Sequence, residues 1–198
     1  MSFKIQTLNK IASVGLNQLD RDNYEIASEI NNPDAILVRS ADMHEMQLSD
    51  NVKAVARAGA GTNNIPIPEL TEKGVVVFNT PGANANAVKE LVMLSLLLSS
   101  RPVIDANKWA NALAGKGDEI PTLAEKGKSQ FVGPELNGKT LGVIGLGAIG
   151  AMVANLALHF GMEVYGYDPF LSVTAPLKLN KNGKIAETLD SLYAKSDY

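Results

Sequence analysis

Residues 140–168 read Thr140-Leu141-Gly142-Val143-Ile144-Gly145-Leu146-Gly147-Ala148-Ile149-Gly150, then AMVANLALHFGMEVYGYD through Asp168, and their pattern decides how the rest is read. The run 140–144 is short and apolar, as in a strand buried on both faces. Residues 148–160 have the composition of a buried helix, and 162–167 form a second, largely apolar run. Strand, glycine turn, helix and strand make a βαβ unit, whose right-handed crossover leaves the two strands parallel.

The turn fits G-x-G-x-x-G. In a chain with 17 Gly that match is weak by itself. Its place, directly after a strand, opening a helix and 18 residues before a strand ending in Asp168, makes it a dinucleotide-binding fingerprint. Gly145 permits the tight exit from the strand, Gly147 lets the backbone approach a pyrophosphate, and Gly150 lets the helix pack close to the strand. N–H groups around Ala148 and Ile149, at the positive end of the helix, receive the phosphate charge. Asp168 selects the nucleotide. Its carboxylate accepts from both adenosine ribose hydroxyls, whereas a 2′-phosphate meets it as a like charge, a repulsion of about 4 kcal/mol at about 4 Å and an effective dielectric near 20. No Lys or Arg follows Asp168 before Lys178. The expected cofactor is therefore NAD rather than NADP.

Working outward, residues 3–8, 35–39, 52–58 and 75–78 read as further short strands bounded by Gly, Pro, Asn or Asp. Between the last two lies PIPELTEKG, with Pro68 suited to a first helical turn, Glu69 and Glu72 to its positive end and Gly74 to the position past its C-terminus. Residues 84–100 form a long helix, apolar on most sides and so expected to be buried or packed between domains. Arg101-Pro102 interrupts it before a second helix over 103–113, which holds the single Trp109. Residues 115–133, rich in Gly and Lys, read as a surface connection, and 188–195 as a last helix. Strands alternating with helices in both halves predict an α/β protein with two parallel-sheet domains covered on both faces. The expected boundary lies near 99–101, giving domains 1–99 and 100–198.

Composition narrows the function. The 198 residues are 45% hydrophobic and 20% charged, with net charge −3, which supplies no basic field for nucleic acid or an anionic membrane. The absence of Cys removes disulfides, thiolate catalysis and Cys-based metal sites. Of the two histidines, His44 has no ligand partner at helical spacing and His159 ends the βαβ helix, where a cation or a packed ring is useful, so no metal site is expected. No apolar run reaches the roughly 20 residues of a membrane helix, and the N-terminus has no secretory pattern. A cytoplasmic protein is the expectation.

Residues 137–170 (NGKTLGVIGLGAIGAMVANLALHFGMEVYGYDPF) resemble the cofactor domain of the D-isomer-specific 2-hydroxyacid dehydrogenases. Three further segments, ILVRS (36–40), ARAGAGTNN (56–64) and VFNTPG (77–82), resemble the phosphoglycerate dehydrogenase branch of that family. The resemblance implies a flavodoxin-like substrate domain followed by a Rossmann NAD-binding domain, incomplete here, with the active site between the two. It implies NAD-dependent oxidation of D-3-phosphoglycerate to 3-phosphohydroxypyruvate, with glycerate, lactate or glyoxylate as alternative substrates. An NAD-sensing corepressor-like protein is the alternative of another class. It further implies that the loop Ala58, Gly59, Ala60, Gly61 holds the substrate carboxylate, with Ala60 beside the nicotinamide half of NAD. Arg39 and Arg57 would take the phosphate, a role suited to arginine's fork of donors. The family's catalytic Arg, Glu and His match no position in this chain, which the resemblance makes the inactive leading part of a longer enzyme. It also implies a homodimer or homotetramer, with helix 103–113 as a contact.

Overall fold

The computed structural model describes residues 2–170 and 179–198, which contain two compact units, Met1–Asn84 and Ala85–Tyr198.

The first unit is a five-stranded parallel sheet built from β1 (Phe3–Leu8), β2 (Tyr24–Ala27), β3 (Ala35–Val38), β4 (Ala54–Arg57) and β5 (Val76–Phe78). Their order is β2-β1-β3-β4-β5, the flavodoxin-like arrangement, whose chain direction across the sheet reverses between β1 and β3. Ligands bind outside the carboxyl ends of strands at such a reversal. One face carries the core, where Ile36, Val38 and Val55 meet Leu70 from helix α2 (Ile67–Glu72) and Met43, Val52 and Ile65 from the loops. α2 begins with Pro68 in its first turn, and the chain leaves it through Gly74 at φ 71°, as the sequence suggested. The opposite face departs from the expectation of full cover: at its rims Phe3, Val76 and Phe78 are more than half exposed. Helix α1 (Ser13–Leu16), a single turn, and β2 were absent from the sequence reading. The polar stretch NQLDRDN hides the four-residue YEIA, whose Tyr24 pairs with Phe3 across the ladder, ring centroids 6.1 Å apart.

The second unit opens with α3 (Ala85–Ser100) and α4 (Val103–Ala112). β6 (Thr140–Ile144), α6 (Ala148–His159) and β7 (Glu163–Tyr167) follow as read from the sequence, with Thr140 in register with Glu163 and Ile144 with Tyr167. Two residues form β8 (Lys184–Ile185), parallel to β7, and α7 (Leu189–Tyr193) closes the unit behind a Thr188–Ser191 capping box. β8 lies in a polar stretch with no apolar alternation, and the sequence pattern gives no strand there. Along the free edge of β6, Asp197 N–H donates to the Thr140 carbonyl at 2.9 Å, and Gly142 N–H to that of Tyr198 at 2.9 Å.

The compact units divide at Asn84/Ala85, and α3 packs on α6. Met93 enters the core with Leu141, Leu146, Val153, Ala154 and Val164, flanked by Val92 and Leu96. α3 is nevertheless not buried all round: Leu91 is 62% and Leu94 49% exposed. Residues 115–133 are not a plain connection either. They form two 3-10 turns around α5 (Ile120–Gly127), whose Gly127 packs so close to Trp109 that a Cβ would overlap the ring, and the Trp109 and Phe131 ring centroids are 5.2 Å apart. Trp109 is thus a packing residue. Among the described residues no helix is long and apolar enough to cross a membrane.

Candidate functional site

The second unit holds the glycine turn. Gly145 sits at φ 88°, a conformation open to glycine and strained for other residues, and turns the chain out of β6. A Cβ on Gly150 would overlap the Gly145 carbonyl oxygen and reach Val143, so glycine is what lets α6 start this close to the strand. A Cβ on Gly147 would meet nothing within 4 Å. The space before the turn is open, and an added methyl would project into it. Gly147 is the extended N-cap of α6, and no described side chain caps this end, leaving the first N–H groups, including those of Ala148 and Ile149, for an anion. Leu146 is 1% exposed and presses on Gly166, where any side chain would collide with it. The turn is therefore anchored by its own middle residue.

Asp168, half-buried at the end of β7, accepts the Leu146 N–H through Oδ2 at 2.9 Å and the Phe170 N–H through Oδ1 at 2.9 Å. Each carboxylate oxygen keeps a further lone-pair site, enough for two ribose hydroxyls. Open space before Gly147, uncapped N–H groups and a fixed carboxylate one strand away fit a dinucleotide. Lys178, the next basic residue in sequence, lies outside the described residues.

A second cluster lies in the first unit, at the carboxyl edge of its sheet. Arg39 follows β3 and is exposed; its guanidinium has no partner among the described residues. Arg57, at the end of β4, is engaged differently. Its Nε donates to the Arg39 carbonyl at 2.9 Å and its Nη1 to the Gly61 carbonyl, so it clamps the loop that follows. A Cβ on Gly59 or Gly61 would stand 3.3 or 3.0 Å from Arg57 Nη1, which explains two glycines under that guanidinium. Within the loop, Ala58 N–H is spent on the Val38 carbonyl and Gly59 N–H on that of Arg57. The N–H groups of Ala60 and Gly61 alone of these four find no acceptor among the described residues, and they remain to meet an anion.

Residues that the sequence reading left unmarked hold this cluster together. Asn79 Nδ2 donates to the Ala60 carbonyl at 2.7 Å, Thr80 N–H to that of Gly59 at 2.9 Å, and Asn64 Nδ2 to that of Ala41 at 2.7 Å. Asn9 Oδ1 accepts from the 39–41 backbone. The available signal was modest: for Asn9 and Asn79, a polar amide directly after an apolar strand. The histidines stand apart from these roles. His44 Nδ1 lies 2.6 Å from Asp42 Oδ1, and the His44 backbone N–H, then its ring, holds the exposed Asp42 carboxyl below its ordinary range. His159 Nδ1 bonds the Asn155 carbonyl one turn back on α6.

Comparison with known proteins follows the same lines. The family described as "D-isomer specific 2-hydroxyacid dehydrogenase, catalytic domain" matches residues 4–194. D-3-phosphoglycerate dehydrogenase of Synechocystis is 32% identical over 197 residues, 98% of this chain and 33% of the relative. The enzyme of that name from Methanocaldococcus jannaschii is 37% identical over 150 residues, 74% of this chain and 26% of the relative. The chain thus spans a third or less of the length of these relatives. The crystal structure of NAD+-bound 3-phosphoglycerate dehydrogenase from Entamoeba histolytica superposes with a TM-score of 0.69 at 25% identity, over 99% of this chain and 61% of that one. By sequence and by fold, this chain belongs to the D-isomer-specific 2-hydroxyacid dehydrogenases.

Proposed function

We propose that the chain is the binding portion of an NAD-dependent dehydrogenase that oxidises D-3-phosphoglycerate to 3-phosphohydroxypyruvate. The observation that carries the reading is the joined glycine turn and Asp168 carboxylate, which fits an adenine dinucleotide without a 2′-phosphate. In this reading residues 100–198 hold NAD and 1–99 hold the acid. The α6 N-terminus with Gly145, Gly147, Ala148, Ile149 and Gly150 takes the pyrophosphate, and Asp168 the ribose. NAD, when bound, supplies the nicotinamide ring that accepts a hydride.

In the first unit, the Ala60 and Gly61 N–H groups receive the substrate carboxylate, on a loop whose Ala58 and Gly59 N–H groups are spent in shaping it. Arg39 takes the phosphate with its free fork of donors, and Arg57 adds charge while its Nε and Nη1 hold the loop. Similarity to the phosphoglycerate dehydrogenases supports this choice over glycerate, lactate or glyoxylate. Removing the hydroxyl proton needs a base. No position of the chain matches the family's catalytic Arg, Glu or His, so in this reading the chain alone binds and does not turn over. A second copy of the chain covers the exposed Val103 and Ile104 of α4, and the protein works in the cytoplasm.

The test is turnover by the protein as its gene encodes it, with D-3-phosphoglycerate, D-glycerate, D-lactate and glyoxylate compared. Preference for the phosphorylated acid is the expected result. Activity confined to unphosphorylated acids would overturn the substrate assignment.

A further inference from the structure

Asn9 follows β1 with φ at 70°, one of two non-glycine residues among those described, with Asn32, in the left-handed region. Asparagine enters that region more readily than most residues because its short amide bonds locally. The turn brings Asn9 Oδ1 to the N–H groups of Arg39, Ser40 and Ala41, at 3.4, 2.9 and 2.7 Å. β1 and β3 are neighbours in the sheet, with Leu8 in register with Val38, so Asn9 and Arg39 leave the ladder side by side at the strand-order reversal. One oxygen thus collects three successive N–H groups. The backbone of 39–41 must curl around it, which fixes the direction in which the Arg39 side chain departs. From the other side Arg57 Nε holds the Arg39 carbonyl. The peptide groups about Arg39 are bound while its guanidinium has no partner among the described residues. That combination is what a pre-aimed ligand-binding arginine requires.

We propose that Asn9 is a positioning residue that aims Arg39 at the acidic end of the substrate remote from the reacting carbon. This rests on the reading of Arg39 as a substrate ligand. Pre-setting the turn removes ordering entropy that binding would otherwise have to overcome.

The experiment compares Asn9→Gly, Asn9→Asp and Arg39→Ala in the protein as its gene encodes it. Asn9→Gly keeps the positive φ without strain and deletes the acceptor, and Asn9→Asp keeps both. Hydrogen exchange of the 39–41 amides is read beside KM and kcat for D-3-phosphoglycerate. In Asn9→Gly the three amides should exchange roughly tenfold faster or more. KM for the phosphorylated acid should rise roughly tenfold, with kcat and KM for NAD within about twofold. Asn9→Asp should restore slow exchange of the three amides; its added charge opposes the proposed phosphate, so exchange and not KM is the readout for this variant. If Asn9→Gly fails to fold, Asn9→Ser, too short to reach all three amides, takes its place with the same expectation. Faster exchange with unchanged KM, while Arg39→Ala raises KM, would overturn the role of Asn9 and leave Arg39 standing. An unchanged KM in Arg39→Ala would remove the reading itself and the proposal with it.

Discussion

The Asp168 carboxylate accepts the Leu146 backbone N–H through Oδ2 at 2.9 Å, tying the end of β7 to the middle of the glycine turn. In the proposed NAD site, the residue assigned to the ribose therefore also shapes the loop assigned to the phosphates. Substitutions separate the two tasks. Asp168→Asn keeps an acceptor for Leu146, loses the charge and sets its amide nitrogen against the exposed Phe170 N–H, so it should lose less stability than Asp168→Ala. Asp168→Ala leaves a half-buried N–H unpaired and should cost about 1–3 kcal/mol of stability. Denaturant unfolding of the two variants checks this, and equal losses would deny Asp168 its structural part.

Gly147 and Gly150 should fail in opposite ways. Gly150→Ala drives a Cβ into the Gly145 carbonyl, and such overpacking costs about 1–3 kcal/mol. Gly147→Ala meets nothing within 4 Å, so its unfolding midpoint should stay close to that of the parent. Its methyl occupies the space a pyrophosphate needs, and NAD affinity should fall by roughly tenfold or more. Calorimetric NAD titrations beside thermal melts measure both.

Arg39→Ala should reduce kcat/KM for D-3-phosphoglycerate by about 2–5 kcal/mol of transition-state binding, as when one member of a desolvated charge pair is removed. Activity on D-glycerate, which has no phosphate, should be nearly unchanged. Steady-state kinetics on the two acids give the contrast.

Val103 and Ile104 begin α4 at 50% and 58% exposure. If a second copy covers them, the double change Val103→Glu, Ile104→Glu should shift sedimentation from the oligomer to the monomer, with the melting curve of the isolated monomer little altered. Charge placed in an apolar contact is costly, whereas the same charge facing water is not.

Much of this molecule can be read from residue pattern. The βαβ unit is legible because 140–144 and 162–167 are apolar runs around a glycine turn, and burial on both faces imposes that pattern. β2 and β8 are not legible: YEIA and Lys184–Ile185 are short and sit among polar residues, and each is a strand only because a neighbour supplies the ladder. α5 was hidden by the Gly and Lys around it, since it owes its place to the Trp109 and Phe131 rings. At the site, Gly145, Gly150 and Asp168 announce themselves by spacing. Asn9, Asn64 and Asn79 do not, because their partners are backbone groups 19 to 32 residues away, brought near only by the sheet. Arg57 read from the sequence as a candidate phosphate ligand; its clamp on the loop was not legible, because it depends on a loop carbonyl folding back over it.

The glycine turn and Asp168, proposed as an NAD site that rejects a 2′-phosphate, can be tested by one titration. NAD and NADP are each titrated calorimetrically into the parent protein and into Asp168→Asn. The parent should bind NAD at least about tenfold more tightly than NADP, and loss of the carboxylate charge should bring the two affinities together. Equal affinities in the parent, or a preference for NAD that survives Asp168→Asn, would contradict the account.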